Sequence, residues 1–217
     1  MSASRVARWR AVALSSAVLF LLLSVAATHG PLPGDPAARV LVKAWTTPAV
    51  LALAHVMNVG GTWMVLLPAT ALLFVVSRHA RRRWWVWCLA LAAAPMIENA
   101  WKALIARPRP VGTAYGFPSG HATAAAVFVV VALYLCMRAQ VGTGRRVVLA
   151  ALVVLGLGVG VGGARLALDA HWASDVLGGW LLGAMCGGGA AWWDAARDSA
   201  PTSAPAAAAP LTRRTAD

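Results

Sequence analysis

Pro118-Ser119-Gly120-His121 opens an apolar run that continues from 122 to 137, and the reading of these four residues decides the rest. Proline biases the residue before it toward extended backbone, serine is a good N-cap, and glycine lets a ligand approach the chain closely. The tetrapeptide therefore reads as the polar mouth of an apolar helix. A helix start offers unpaired amides and the positive end of its dipole, so an anion such as phosphate is its natural guest. His121 adds a titratable proton at the same place. On its own such a start is more often an ordinary cap than a catalytic site, and it needs partners elsewhere in the chain.

The composition sets the environment. Of 217 residues, 60% are hydrophobic and 12% charged, and the mean hydropathy is +0.69, far too apolar for a soluble domain. The net charge of +12 comes from 19 Lys+Arg against 7 Asp+Glu. Most of these bases stand in short clusters between apolar runs, the placement of membrane-orientation signals, so nucleic-acid binding is not expected. Cys88, Cys136 and Cys186 all lie inside apolar runs without metal-ligand spacing and read as small hydrophobes.

Taken in order, a basic start with Arg5, Arg8 and Arg10 precedes an apolar run at 11–27, read as an uncleaved signal anchor and first span. Pro31, Pro33, Gly34 and Pro36 then make a loop, and 37–45, with Arg39 and Lys43 among apolar residues, reads as an interfacial helix. A shorter helix carrying His55 ends at Asn58-Val59-Gly60-Gly61, and further spans follow at 62–76, 84–105, 121–137, 147–168 and 172–192. The glycines of the fifth span permit close packing. Arg78, His79, Arg81, Arg82 and Arg83, followed by Trp84, Trp85 and Trp87, mark an inner loop and its aromatic belt.

The expected fold is thus an all-α polytopic bundle of six transmembrane helices with both termini cytoplasmic. A membrane domain at 1–193 is followed by a disordered cytoplasmic tail at 194–217, rich in Ala, Pro and Ser. Six spans place Lys102, Arg109, Ser119, His121, Arg165, His171 and Asp175 together at the extracytoplasmic ends of spans three to six. Ionisable groups gathered in one membrane layer are a functional-site hypothesis.

The order and spacing of these residues carry more than their number. Lys102 is followed after six residues by Arg109-Pro110, then comes Pro118-Ser119-Gly120-His121, then Arg165, His171 and Asp175. This arrangement resembles the three signatures of the type 2 phosphatidic acid phosphatase family, and it spans about half of the chain. Ala164 departs from the pattern, standing where that family has serine. The family shares its fold with soluble vanadium-dependent haloperoxidases, from which this apolar chain differs.

The residue types suit phosphoryl transfer, whose main demand is positioning and neutralisation of charge on the equatorial oxygens. Lys102, Arg109 and Arg165 can supply that charge, and the only acids between 40 and 193 are Glu98, Asp169 and Asp175, too few for a divalent-cation site. A metal-independent enzyme without cofactor is expected. His171 and Asp175, four apart at a helix start, share a face, so the carboxylate can fix the imidazole tautomer. The resemblance implies His171 as a nucleophile forming a phosphohistidine, Asp175 as its orienting acid, and His121 as general acid and then base. Ser119, with the amides of Gly120 and His121, would hold phosphate oxygens. The implied substrate is a membrane lipid phosphate or pyrophosphate, and phosphatidic acid, phosphatidylglycerol phosphate and undecaprenyl pyrophosphate all fit.

Plainer roles compete at several positions. Glu98 and Lys102, also four apart, read as a helix ion pair; Arg107 reads as a phosphate or headgroup contact at the outer surface or as a solvated loop charge; Asp169 reads as an interfacial or capping residue. Tyr115 and Phe117 are substrate contacts or interfacial anchors. Two other functions compete with hydrolysis: a phosphotransferase using an alcohol acceptor, and a non-catalytic transporter or binding protein for anionic lipids, which has no need of the His171–Asp175 pair.

Overall fold

The computed structural model describes residues 3–139 and 142–199, which among themselves form ten α-helices and no strand. Helices occupy all six stretches read as spans: α1 (Ala3–Ala27), α4 (Trp63–Val76), α6 (Trp84–Ile105), α7 (Gly120–Arg138), the pair α8 (Thr143–Val153) with α9 (Gly160–Ala167), and α10 (Ala173–Ser199). The protein is an all-helical membrane bundle. Four segments, α1, α6, α7 and 143–167, are long and apolar enough to cross a bilayer, and α4 is a shorter apolar helix. Glycine lowers the hydropathy of α10, but its 27 residues run the depth of the bundle.

Outside these lie α2 (Gly34–Trp45), α3 (Pro48–Val59) and a short α5 (Arg78–Arg82). Helices α2 and α3 meet at a bend of 116°. Thr47 caps α3, its side chain accepting from the Val50 amide at 3.3 Å, with Pro48 at the first helical position.

Two expectations need correction. The fifth span is not one α-helix: a π-helical turn at Val154–Val159, in the glycine-rich part, separates α8 from α9. The boundary at 193 falls inside α10, which continues to Ser199 with Asp194 fully buried. Residues 200–217, the rest of the expected tail, lie outside the described residues.

Helix α10 is the central post, packed between α7 and α1. Gly179 and Gly183 set its distance from α7: a Cβ at Gly179 would stand 2.6 Å from the Ser119 carbonyl oxygen, and one at Gly183 2.6 Å from the Ala126 Cβ. Only glycine allows that approach, the small-residue packing found where helices associate without a hydrophobic drive from water. At the end where α6 begins and α10 finishes, Trp9, Trp87 and Tyr134 pack into a cluster. Beside it, buried Asp194 accepts from His79 Nε2 at 2.7 Å, Arg83 Nη1 at 2.7 Å and the Tyr134 hydroxyl. A buried carboxylate among cations ties α5, α6, α7 and α10 together, and every polar residue of the three motifs lies at the opposite end.

Candidate functional site

Four helix ends converge at that opposite end. Lys102 comes from the last turn of α6, Gly120 and His121 from the first turn of α7, Arg165 from the last turn of α9, and Asp175 from the first turn of α10. His171 stands in the turn between α9 and α10, and Arg109 in the loop after α6. Half-buried His121 is the point they share: the charges of Arg165, Lys102 and Arg109 and the ring of His171 all act on it. Three segments separated by up to seventy residues of sequence therefore meet around one imidazole.

Each member is held in a definite way. His171 Nδ1 lies 3.2 Å from Asp175 Oδ2, and the Trp172 amide donates to the same oxygen at 2.9 Å. His171 is 4% exposed and Asp175 fully buried. Burial pushes the His171 imidazole down to about 4, against the upward pull of Asp175, with Arg165 and Arg109 adding to the fall. The ring is neutral at physiological pH. Arg165 donates from Nη1 to the Asn58 side chain at 2.6 Å, while its buried Nε has no hydrogen-bond partner. Arg109 Nε donates to the Tyr115 carbonyl at 3.1 Å. Lys102 pairs with Glu98, as their spacing implies, and the same carboxylate lies against Gly120, where a Cβ would be 2.9 Å from Glu98 Oε1.

Ser119 behaves differently from a simple cap. Its side chain makes no capping bond to α7; its amide donates to the Asp175 carbonyl at 2.9 Å, and its fully buried hydroxyl has no hydrogen-bond partner. The hydroxyl and Arg165 Nε are thus two buried donors without an acceptor beside a pair of imidazoles. Groups of that kind carry a desolvation cost that an anion with several oxygens would relieve.

Arg107 is neither a phosphate or headgroup contact at the outer surface nor a solvated charge. It is 2% exposed, donates from Nη2 to the Ser174 hydroxyl at 2.9 Å and pairs with Asp175 Oδ1. Phe117 is equally buried, with its ring under the Arg107 guanidinium at 5.2 Å and stacked on Phe20 at 6.0 Å, so it belongs to the core and not to an interface. Tyr115 is exposed. Asp169 takes Arg39 Nε at 2.6 Å and Lys43 Nζ at 2.7 Å, and the Arg39 bond holds its carboxyl down at about 2. Its φ of 54° is left-handed, a conformation Asp tolerates, and it sends the chain from α9 toward His171. Ala164 is buried beside Arg165.

Asn58, Asp35 and Ser174 carry no pattern that marks them as site residues, and Arg107 carries none that marks its partners. Asn58 sits in a segment whose glycines mark only a break, and Arg107 lies in a loop directly before Pro108. The partners of both come from elements far away in the chain.

Among the described residues, His79, Asp194 and Asp198 are the group close enough to share an ion, at the far end of the bundle. Arg83 and Arg138 already bind Asp198 there, at 2.7 and 2.6 Å, and Arg83 binds Asp194 as well. Those oxygens are committed to cations.

Comparison with known proteins gives a consistent outcome. Residues 83–199 match the model of the PAP2 superfamily. No curated protein matches the sequence. Among solved structures, the fold is similar to that of a transmembrane PAP2-type phosphatidylglycerolphosphate phosphatase from Bacillus subtilis, at a TM-score of 0.71 and 22% identity over 87% of this chain and 96% of that one. At that identity the likeness is one of fold.

Proposed function

This chain belongs to the PAP2 superfamily, the type 2 phosphatidic acid phosphatases, and from that premise we propose that it hydrolyses a lipid phosphate or lipid pyrophosphate through a phosphohistidine. The observation that carries the reading is the geometry joining the second and third motifs: His171 is anchored to Asp175 at 3.2 Å, the Ser119 amide donates to the Asp175 carbonyl at 2.9 Å, and the Ser119 hydroxyl and Arg165 Nε are buried without an acceptor.

Asp175 accepts the Nδ1 proton of His171, which leaves the Nε2 lone pair for attack. Lys102, Arg109 and Arg165 neutralise the phosphoryl oxygens, joined by the Ser119 hydroxyl and the first amides of α7. Nε2 bonds to phosphorus as the bond to the lipid oxygen breaks, and that oxygen takes a proton from His121. His121 then removes a proton from water, which attacks the phosphohistidine and releases phosphate. Three cations around one phosphoryl group perform the neutralisation that a metal ion performs elsewhere, so the reaction is metal-independent.

The distribution of charge supports a site on the extracytoplasmic side. Arg5, Arg8, Arg10, Arg78, Arg81, Arg82, Arg145 and Arg146 lie toward the end of the bundle away from the histidines, and cytoplasmic loops carry such an excess. With α1, α4, α6, α7, α8–α9 and α10 as six spans, both termini are cytoplasmic and the site opens outward in the plasma membrane. A site at the ends of spans lies at headgroup depth, so an amphiphile reaches it from the outer leaflet with its tail still in lipid.

The test is phosphate release by purified protein from a panel of lipid phosphates, with phosphatidylglycerol phosphate first because the similar Bacillus subtilis protein is named for it. Wild-type turnover without any alcohol acceptor supports hydrolysis; release only when an acceptor is added points to a phosphotransferase. No release from any member of the panel, with binding retained, points to a lipid carrier.

A further inference from the structure

Behind the His171–Asp175 pair lies a second tier of buried charge. Asp175 has both oxygens occupied: Oδ2 by His171 and the Trp172 amide, Oδ1 by Arg107. Arg107 in turn donates to the Ser174 hydroxyl at 2.9 Å and to the Gly30 carbonyl at 3.2 Å, and its Nη1 faces Asp35 Oδ2 at 3.7 Å. Asp35 belongs to the first turn of α2, yet it accepts from the amide of Ser174 at 2.8 Å and from its hydroxyl at 2.5 Å. It therefore caps the start of α10 from another helix. Asp35 and Arg107 are each 2% exposed, and Ser174 is 5% exposed.

We infer that Asp35, Arg107 and Ser174 form a positioning relay for the proposed nucleophile, acting through Asp175; the inference rests on the assignment of His171 as that nucleophile. A buried carboxylate requires a counter-charge, and the neutral His171 ring does not provide one. Arg107 does. By holding Oδ1, it also fixes the carboxylate plane so that Oδ2 stays aimed at Nδ1. When Nε2 bonds to phosphorus and the lipid oxygen departs with the electron pair, the ring becomes cationic, and its positive charge appears against Oδ2. A guanidinium alone behind Asp175 would oppose that charge. Asp35, on the far side of Arg107, offsets it, so the tier alternates in sign from Asp35 to Arg107 to Asp175 to the ring. The same helix grips the nucleophile's turn from its other side, because Arg39 and Lys43 of α2 hold Asp169, two residues before His171.

The opposite charges of the two outer members give a readout that a structural role does not share. Wild type, Asp35→Asn, Ser174→Ala, Arg107→Met and Arg107→Lys are compared on a short-chain lipid phosphate in detergent, measuring kcat, KM and the pH dependence of kcat/KM, with size-exclusion profile and unfolding midpoint as folding controls. The expected result is a kcat at least tenfold lower in Arg107→Met and Asp35→Asn with KM within about twofold, and partial recovery in Arg107→Lys. Removing the cation favours a protonated ring, so the acid limb moves to higher pH in Arg107→Met; removing the anion moves it lower in Asp35→Asn. The substrate's own titration is common to all variants. Folded Asp35→Asn and Arg107→Met with wild-type kcat and an unmoved acid limb would overturn the relay. Should Arg107→Met fail to fold, Asp35→Asn and Ser174→Ala, which keep the Arg107–Asp175 pair, decide alone, and loss of kcat only in proportion to loss of folded protein counts against it. A His171→Ala variant as active as wild type overturns the nucleophile itself, a different outcome from failure of the relay.

Discussion

Nδ1 of His171 and Oδ2 of Asp175 meet at 3.2 Å, four residues apart where the chain enters α10, with both side chains closed to solvent. A carboxylate at that oxygen can only accept, which fixes the proton on Nδ1 and the lone pair on Nε2. Asp175→Asn keeps the volume but can present an NH2 group and favour the opposite tautomer. The expected result is a fall in kcat of about ten-thousandfold with little change in KM, the scale seen where an orienting acid is lost. Steady-state phosphate release measures it, and a fall of less than about tenfold in folded protein would remove Asp175 from the orienting role.

The pH dependence follows from the burial of His171. Its ring is held down at about 4, below the ordinary histidine value of about 6.5. A group lowered in this way stays neutral, and so nucleophilic, as pH falls through 6.5, and loses its lone pair only near 4. The acid limb of kcat/KM due to His171 is therefore expected close to pH 4. A limb assigned to His171 by its mutation and lying near 6.5 would show a ring in contact with water.

At the far end of the bundle, Asp194 is a structural counterpart of Asp175 without a chemical role. Asp194→Ala removes the shared acceptor of His79, Arg83 and Tyr134, and although Arg83 keeps Asp198 it leaves the His79 ring and the Tyr134 hydroxyl without that acceptor. The expected cost is about 1–3 kcal/mol of stability. It would be read as a lower unfolding midpoint in detergent, with kcat per folded molecule close to wild type. An unchanged midpoint would mean that the carboxylate is solvated in the membrane-bound protein.

Chelation separates a cation clamp from a metal centre. With Lys102, Arg109 and Arg165 carrying the phosphoryl charge, treatment with EDTA is expected to leave turnover within about twofold. Loss of activity restored by Mg²⁺ would overturn the metal-free mechanism.

The parts of this protein that were legible in its sequence are those governed by local pattern. Apolar runs of spanning length appear as helices, and the spacing of Lys102, Arg109, His121, Arg165, His171 and Asp175 was enough to link three separate segments. What stayed hidden depends on distant partners. Arg107, in a loop just before Pro108, looks solvated, and only the approach of α2 and α10 buries it against Asp35 and Asp175. Asp194 follows two tryptophans and looks like the first residue of a polar tail, until His79 of α5, Arg83 at the junction of α5 and α6, and Tyr134 of α7 converge on it. Ser119 has the residue type of a cap, but its amide is spent on Asp175 and its hydroxyl makes no capping bond, a distinction that residue type does not carry.

The central claim is covalent catalysis at His171, and trapping of the intermediate tests it most directly. Wild-type protein mixed with a lipid phosphate labelled with ³²P at phosphorus and quenched within the first turnover is expected to carry acid-labile, base-stable label approaching one phosphoryl group per chain, with none in His171→Ala. Equal labelling of His171→Ala, or rapid phosphate release by a wild type that never becomes labelled, would contradict the account.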